Sequence, residues 1–189
     1  MLGLRIVATL KHPLMKFLTL WGITCLATPV SSAIQASLTY DKPSDWALAE
    51  SNNQAVVARF IVPRVEGDSE DAECVLLSFT EEEISGEEKL EQWTKQMLQP
   101  DDRPSEELAT TTSYDLQGMK VTIIDVPGIY SPTVHPNSKM RYYKRGFRLK
   151  AAVIESSERL IFFKLTGPDR TVTHWNTAFS QLLDSIRTN

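Results

Sequence analysis

The sequence predicts an α+β fold, an antiparallel β-sheet covered by helices, and three observations carry that reading. Apolar, β-branched runs recur at hairpin spacing, two of them separated only by Gln117-Gly118. One helical pattern interrupts them, with Leu90, Trp93 and Met97 at intervals of three and four. A second closes the chain, where Val172, Trp175, Phe179, Leu182 and Ile186 form an apolar stripe opposite Thr173, Asn176, Gln181 and Asp184. At roughly 1.5 to 3 kcal/mol per large side chain buried, that stripe is worth on the order of 10 kcal/mol gross, enough to dock the chain end on a sheet. Strands in runs, with helices set apart from them, argue for α+β rather than for alternating βαβ units.

Taken in order, Ser37 to Tyr40 starts a short strand, and Asp41-Lys42-Pro43-Ser44-Asp45 turns the chain before Trp46. Ala55 to Val62 reads as a strand ended by Pro63, and Glu73 to Phe79 as its hairpin partner across a charged connection. Glutamates at 81–83 and 87–88 precede the first helix and complement the positive end of its dipole, and Pro100 closes the segment. Asp101 to Glu107 reads as a loop. Thr110 to Leu116 and Met119 to Val126 form a tight hairpin. Pro127, Gly128, Pro132 and Pro136 then break the chain up to about Gly146. Phe147 to Ile154 and Arg159 to Thr166 are two further strands joined by Glu155-Ser156-Ser157-Glu158. Gly167-Pro168-Asp169 stops the second of them before the terminal helix.

The chain of 189 residues is 42% hydrophobic and 23% charged, the composition of one globular domain. Residues 1–33 differ from the rest. Lys16 supplies a basic start, Phe17 to Ala27 an apolar run too short to span a bilayer, and Ser31-Ser32-Ala33 small residues before a cut. The expectation is a signal peptide over 1–33, with Met15 as an alternative start of translation, and one domain over 34–189 that is exported, periplasmic or secreted, and not an integral membrane protein. Cys25 lies in the apolar run, where the preceding Ile23-Thr24 is a poor lead-in to lipidation. Cleavage leaves Cys74 as the only thiol, so no intramolecular disulfide forms and the core alone must hold the fold. It also removes Arg5, Lys11 and Lys16 and no acidic residue, shifting the net charge from −4 to −7, which argues against nucleic acid as a partner.

Asp125-Val126-Pro127-Gly128-Ile129-Tyr130, Phe163-Lys164-Leu165-Thr166-Gly167-Pro168, the order of strands and helices and the amphipathic terminal helix together resemble the PsbP-like class and small exported bacterial proteins allied to it. The resemblance covers most of the chain after residue 33. It implies an α/β/α sandwich around an antiparallel sheet and membership of a class of accessory or assembly factors rather than catalysts. No residue here matches a metal or photosystem site of the extrinsic photosystem II proteins, so a photosynthetic role is not carried over.

Catalytic signatures are sparse. Asp125-Val126-Pro127-Gly128 has the D-x-x-G form of GTP-binding proteins, but G-x-x-x-x-G-K-[ST] is missing and a strand end with a Pro-Gly turn accounts for it. Two separated histidines after residue 33, His135 and His174, provide no H-x-x-x-H spacing, and C-x-x-C is absent. Neither a metal nor another cofactor is therefore expected. Between Glu66 and Glu107 there are 15 carboxylates against Lys89, Lys95 and Arg103, without the D-x-[DN]-x-[DN]-G of a calcium loop, which reads as a solvated face.

The candidate site is the long connection from Pro127 to Lys150. It carries Tyr130, His135, Tyr142 and Tyr143, and its second half holds Lys139, Arg141, Lys144, Arg145, Arg148 and Lys150 with no acid among them. On an acidic chain this is a basic patch with aromatic neighbours, suited to an anionic ligand or an acidic protein surface. The expected function is that of an exported, non-catalytic accessory or binding protein. The alternative is a hydrolase-like enzyme of the cell envelope using His135 in the 127–146 loop, with Asp125, Ser131 or Ser138 within reach in sequence. The bland reading is a mobile loop whose cations offset the acidic segment.

Overall fold

A computed structural model describes residues 38–80, 83–135, 138–157 and 159–188. The signal-peptide reading of residues 1–33, the alternative start at Met15, Cys25 and the expected mature start at Ile34 lie outside the described residues. So do Ser37, two of the early glutamates, Pro136 and Glu158.

Seven strands form one antiparallel ladder: β2 (Ala47–Ala49), β3 (Val56–Val62), β4 (Ala72–Phe79), β9 (Leu160–Pro168), β8 (Lys144–Glu155), β7 (Met119–Tyr130) and β5 (Met97–Leu98), in that spatial order. β6 (Thr110–Leu116) pairs with β7 as well. The chain ends meet in a separate two-stranded ladder of β1 (Leu38–Thr39) with β10 (Arg187–Thr188). The expected hairpins form. Gln117 and Gly118 both take positive φ, 55° and 85°, as the two-residue turn between β6 and β7 requires, and Asp115 Oδ1 accepts from the Gly118 N–H at 3.0 Å.

Successive side chains of a strand point to opposite faces, and here they feed two separate apolar clusters. Cys74, Leu76, Phe163 and Leu165 join a cluster with Val172, Phe179, Leu182, Leu183 and Ile186 from the chain end. Leu77, Phe162, Ala151 and Val153 join another with Leu90 and Trp93. The second pair comes from α1 (Gly86–Thr94), which starts where Ser85 Oγ accepts from the Glu88 N–H at 3.1 Å. α1 lies close on β8, since a Cβ on Gly86 would meet Val153 Cγ2 at 3.1 Å.

The expected terminal helix is two helices, α2 (Asp169–His174) and α3 (Asn176–Asp184), broken at Trp175. The break has a visible cause. The Trp175 indole N–H donates to the Pro63 carbonyl at 2.8 Å, and its ring meets Trp46 edge-on at 6.2 Å, so the side chain is held toward the β3 end of the sheet. The stripe itself is buried as expected, except that Trp175 keeps some exposure and Ile186 lies beyond the helix.

Four further expectations are corrected. Gly167 and Pro168 do not follow β9 but are its last two residues, paired with Arg148 and Phe147. Gly167 is required there because a Cβ would sit 2.3 Å from that of Ala72 on β4. Met97 belongs to β5 and not to the first helix, and Asp101 to Glu107 includes a 3₁₀ turn, Ser105–Glu107. Most consequential, the 127–146 segment is not one structureless loop. Pro127 to Tyr130 continue β7, with an irregularity in register between Gly128 and Tyr130, and Lys144 to Gly146 open β8. The true connection is residues 131–143, braced by a β-bridge between Thr133 and Arg141. Pro127 is tolerated inside the strand because β6 ends its pairing at Asp125 and β5 begins at Ile129, leaving that position of the β7 edge unpaired.

Candidate functional site

The expected basic patch divides into cations that the fold consumes and cations that it leaves free. Arg148 Nη1 lies 2.7 Å from Asp125 and its Nε 2.6 Å from Asp169, so this side chain ties β7 and β8 to the start of α2. Lys144 Nζ is 2.5 Å from Glu70 and also lies over the Phe147 ring at 5.3 Å. Arg141 Nε donates to the Ser131 carbonyl at 2.8 Å and to Ser131 Oγ at 3.1 Å, which pins the two ends of the connection together. Lys150 lies 3.5 Å from Asp125 and bonds Asn176. Lys139 and Arg145, by contrast, are exposed and have no carboxylate within ion-pair distance among the described residues.

The aromatic half of the patch divides in the same way. Tyr130 is drawn inward, stacked on Phe147 at 6.1 Å with its ring planes 7° apart. Its hydroxyl is pushed up to about 12 by burial and by the nearby charge of Glu73. Tyr142 and Tyr143 remain 48% and 68% exposed, beside Met140 at 72%. Large apolar side chains this open on one short connection are the surface feature that a soluble fold does not need for itself.

Tyr143 and Arg145 form one wall of a groove of about 470 Å³ whose other walls include Leu98, Ile129, Lys95 and Arg103. Its floor is rigid. Gln99 Nε2 donates to the Pro127 carbonyl at 2.9 Å and to Ser105 Oγ at 3.0 Å, and Ser105 donates in turn to the Met97 carbonyl at 2.8 Å. Gly128 lets β5 approach, since a Cβ there would meet the Leu98 carbonyl oxygen at 2.6 Å and its φ is +153°. Lys95 and Arg103 carry their own carboxylates, Glu91 and Asp101, whereas Arg145 on one side of the groove and Asp102 and Glu106 on the other have no ion-pair partner among the described residues.

The His135 constellation is not brought together. His135 is exposed, and its carbonyl accepts from the Ser138 N–H at 2.9 Å. Ser131 is fully buried and bonded by Arg141, while Asp125 faces Arg148 and Lys150. No hydrogen bond among the described residues joins the His135 ring to any of them. His174 is exposed and edge-on to Trp175 at 5.1 Å. No group of three or more His, Cys, Asp or Glu poised for a metal occurs among the described residues, nor any helix long and apolar enough to cross a membrane.

Sequence reasoning missed a second cavity, an open cleft of about 600 Å³ on the α1 side of β3, β4 and β9. Tyr130, Phe147 and Lys144 border it from one side, Arg59 and Glu73 from the other, and Lys164 and Thr166 lie on its floor. Lys164 Nζ donates to Gln96 Oε1 at 2.5 Å and to the Tyr130 hydroxyl at 3.2 Å, and lies 5.5 and 5.1 Å from the Trp93 and Tyr130 ring centres. Burial brings its ammonium down to about 7, with Glu73 opposing that shift and Lys89 adding to it. The signal available in the sequence was a lysine at the centre of the most apolar strand, where the period-2 pattern calls for a hydrophobe.

No family model matches the sequence, and no curated protein matches it either. Among solved structures, the Pseudomonas aeruginosa protein PA94, of unknown function, is 12% identical, with a TM-score of 0.47 over 81% of this chain and 98% of its own. LpqN of Mycobacterium tuberculosis, involved in cell envelope biogenesis, is 15% identical, with a TM-score of 0.44 over 80% and 83%. The cyanobacterial PsbP (CyanoP) of Synechocystis is 12% identical, with a TM-score of 0.44 over 82% and 94%, so a PsbP structure stands among the similar chains, as the sequence resemblance led one to expect.

Proposed function

We propose that this chain is an exported, non-catalytic accessory protein of the cell envelope, an α/β/α sandwich that docks on an acidic partner protein through the groove beside the 131–143 connection. The observation that carries the reading is the sorting of the patch. Arg141, Lys144 and Arg148 are spent within the fold, whereas Lys139, Arg145, Tyr142, Tyr143 and Met140 are presented outward. Aromatic and arginine side chains are the residue types that anchor protein interfaces. A free arginine beside two exposed tyrosines selects a partner segment with a carboxylate next to a bulky apolar residue.

Selection of short random peptides against the purified domain tests this. Recovered sequences should pair Asp or Glu with aromatic or aliphatic residues, bind more weakly as salt rises, and lose binding to the triple variant Lys139→Glu, Tyr143→Ala, Arg145→Glu. The stability of that variant should stay within about 1 kcal/mol of the parent, since these exposed side chains make no hydrogen bond or ion pair among the described residues. Peptides without acidic bias, or undiminished binding to the variant, would remove the groove as the docking surface.

A further inference from the structure

The cleft over Lys164 is independent of the groove, and it is built differently. Its walls are apolar and aromatic, with Trp93, Phe147, Val75 and Leu77 among them. Its rim cations are already matched, Arg59 with Glu73 at 2.6 Å and Lys144 with Glu70 at 2.5 Å, and the further rim carboxylate, Asp71, accepts from the Arg64 backbone N–H at 3.1 Å, so the rim leaves no free cation for an anionic ligand. On the floor stands an amine with no carboxylate within ion-pair distance among the described residues. Its two hydrogen-bond partners are a neutral amide and a neutral phenol. Thr166 Oγ1, two residues along the same face of β9, is buried and has no hydrogen-bond partner. A buried lysine is ordinarily paired or excluded, because an ammonium without a counter-ion is costly away from water.

We propose that Lys164 is a nucleophilic lysine, and that the cleft takes a small uncharged molecule with an apolar or aromatic body and an aldehyde or ketone group, with which Lys164 condenses. The neutral amine attacks the carbonyl carbon, a C–N bond forms, and the C=O π pair moves to oxygen. The nitrogen's proton reaches that oxygen by way of the Tyr130 hydroxyl, which lies 3.2 Å from Nζ. The carbinolamine then loses water, leaving an imine, so carbonyl and amine go to imine and water with no change of oxidation state. Desolvation that favours the uncharged amine is the standard route to such a nucleophile. The charged groups that face it are Glu73 from β4, paired with Arg59 of β3, Lys89 of α1, and Lys144 of β8 with Glu70; Tyr130 faces it from β7.

The test is reductive trapping of the full chain with benzaldehyde and cyanoborohydride, read by intact mass and by peptide mapping. A single adduct at Lys164 should form at least about tenfold faster than at exposed lysines at pH 7.5, with a rate that rises through about pH 7 and levels off before exposed lysines begin to react. Lys164→Arg should lose the adduct. Tyr130→Phe, which keeps the stacked ring and removes the proton relay, should keep the adduct site but form it several-fold more slowly. Labelling spread over surface lysines, or a Lys164 rate still climbing above about pH 9, would overturn the proposal, as would an adduct unaffected by Lys164→Arg. Both variants are read against the parent unfolding midpoint, so that loss of fold is not mistaken for loss of the nucleophile.

Discussion

The two faces of the sheet are finished to different standards. On one, α2, α3 and the β1–β10 pair leave Cys74, Leu76, Phe163, Leu165, Val172, Phe179 and Leu182 at 0% exposure. On the other, the single nine-residue helix α1 reaches over β8 and stops, and the span of β3, β4 and β9 beyond it is the open cleft. Both faces draw on the same strands, so the difference lies in what covers them and not in the sheet. The sealed face has the larger buried cluster of the two. The half-covered face can hold polar groups such as Lys164 and Thr166, which the sealed face would exclude.

Truncations should separate the faces by magnitude. Phe179→Ala, on the sealed side with no room to relax, should cost about 3 to 5 kcal/mol in denaturant unfolding. Trp93→Ala, whose ring edge already borders the cleft, should lie at the low end of that range, about 3 kcal/mol. Val75→Ala, a partly exposed cleft wall, should cost only about 1 kcal/mol. A Val75 loss as large as that of Phe179 would mean that the cleft closes in solution.

Thiol chemistry sharpens the same contrast. Cys74 on β4 is fully buried, and burial pushes its thiol well above the ordinary range, with Glu73 adding to the shift. Labelling of Cys74 should therefore wait for global unfolding, with a rate that follows denaturant and not reagent concentration. Rapid labelling in native buffer would show that the sealed face opens locally.

Stability should also depend on pH through the open face. Lys164 falls from an unfolded value of 10.5 to about 7 in the fold, so between these values the unfolded chain binds the additional proton and stability rises with pH. The rise should be visible from about pH 7 to about pH 9. Beyond that the unfolded Cys74 thiol begins to ionise while the folded one does not, which acts in the opposite direction. Lys164→Met should flatten the rise, and an unchanged slope in that variant would assign it to other groups.

The sealed face was legible from the sequence because it obeys a period. The stripe Val172, Phe179, Leu182, Ile186 and the strands facing it are regular patterns of hydrophobes, and each finds its burial. The break at Trp175 was not legible, because it depends on the Pro63 carbonyl, over a hundred residues away in sequence. The candidate site was half legible. Charge and aromatic content marked the stretch, but composition cannot tell Arg148, held by Asp125 and Asp169, from Arg145, which has no ion-pair partner among the described residues. That sorting is a matter of register. Arg148 pairs with Pro127 and Gly167 on its two neighbouring strands, which brings Asp125 and Asp169 within reach of its side chain. The cleft was not legible at all beyond the lysine out of pattern, since its walls come from five strands and a helix.

The claim that one face is left open around a lysine amine with no carboxylate partner among the described residues is tested most directly by carbon NMR of the lysine side chains, labelled at Cε and titrated with pH. One lysine should titrate near pH 7, and its signal should vanish in Lys164→Met. If Lys164 titrates above about pH 10, the amine is solvated or paired and the account of the open face is wrong.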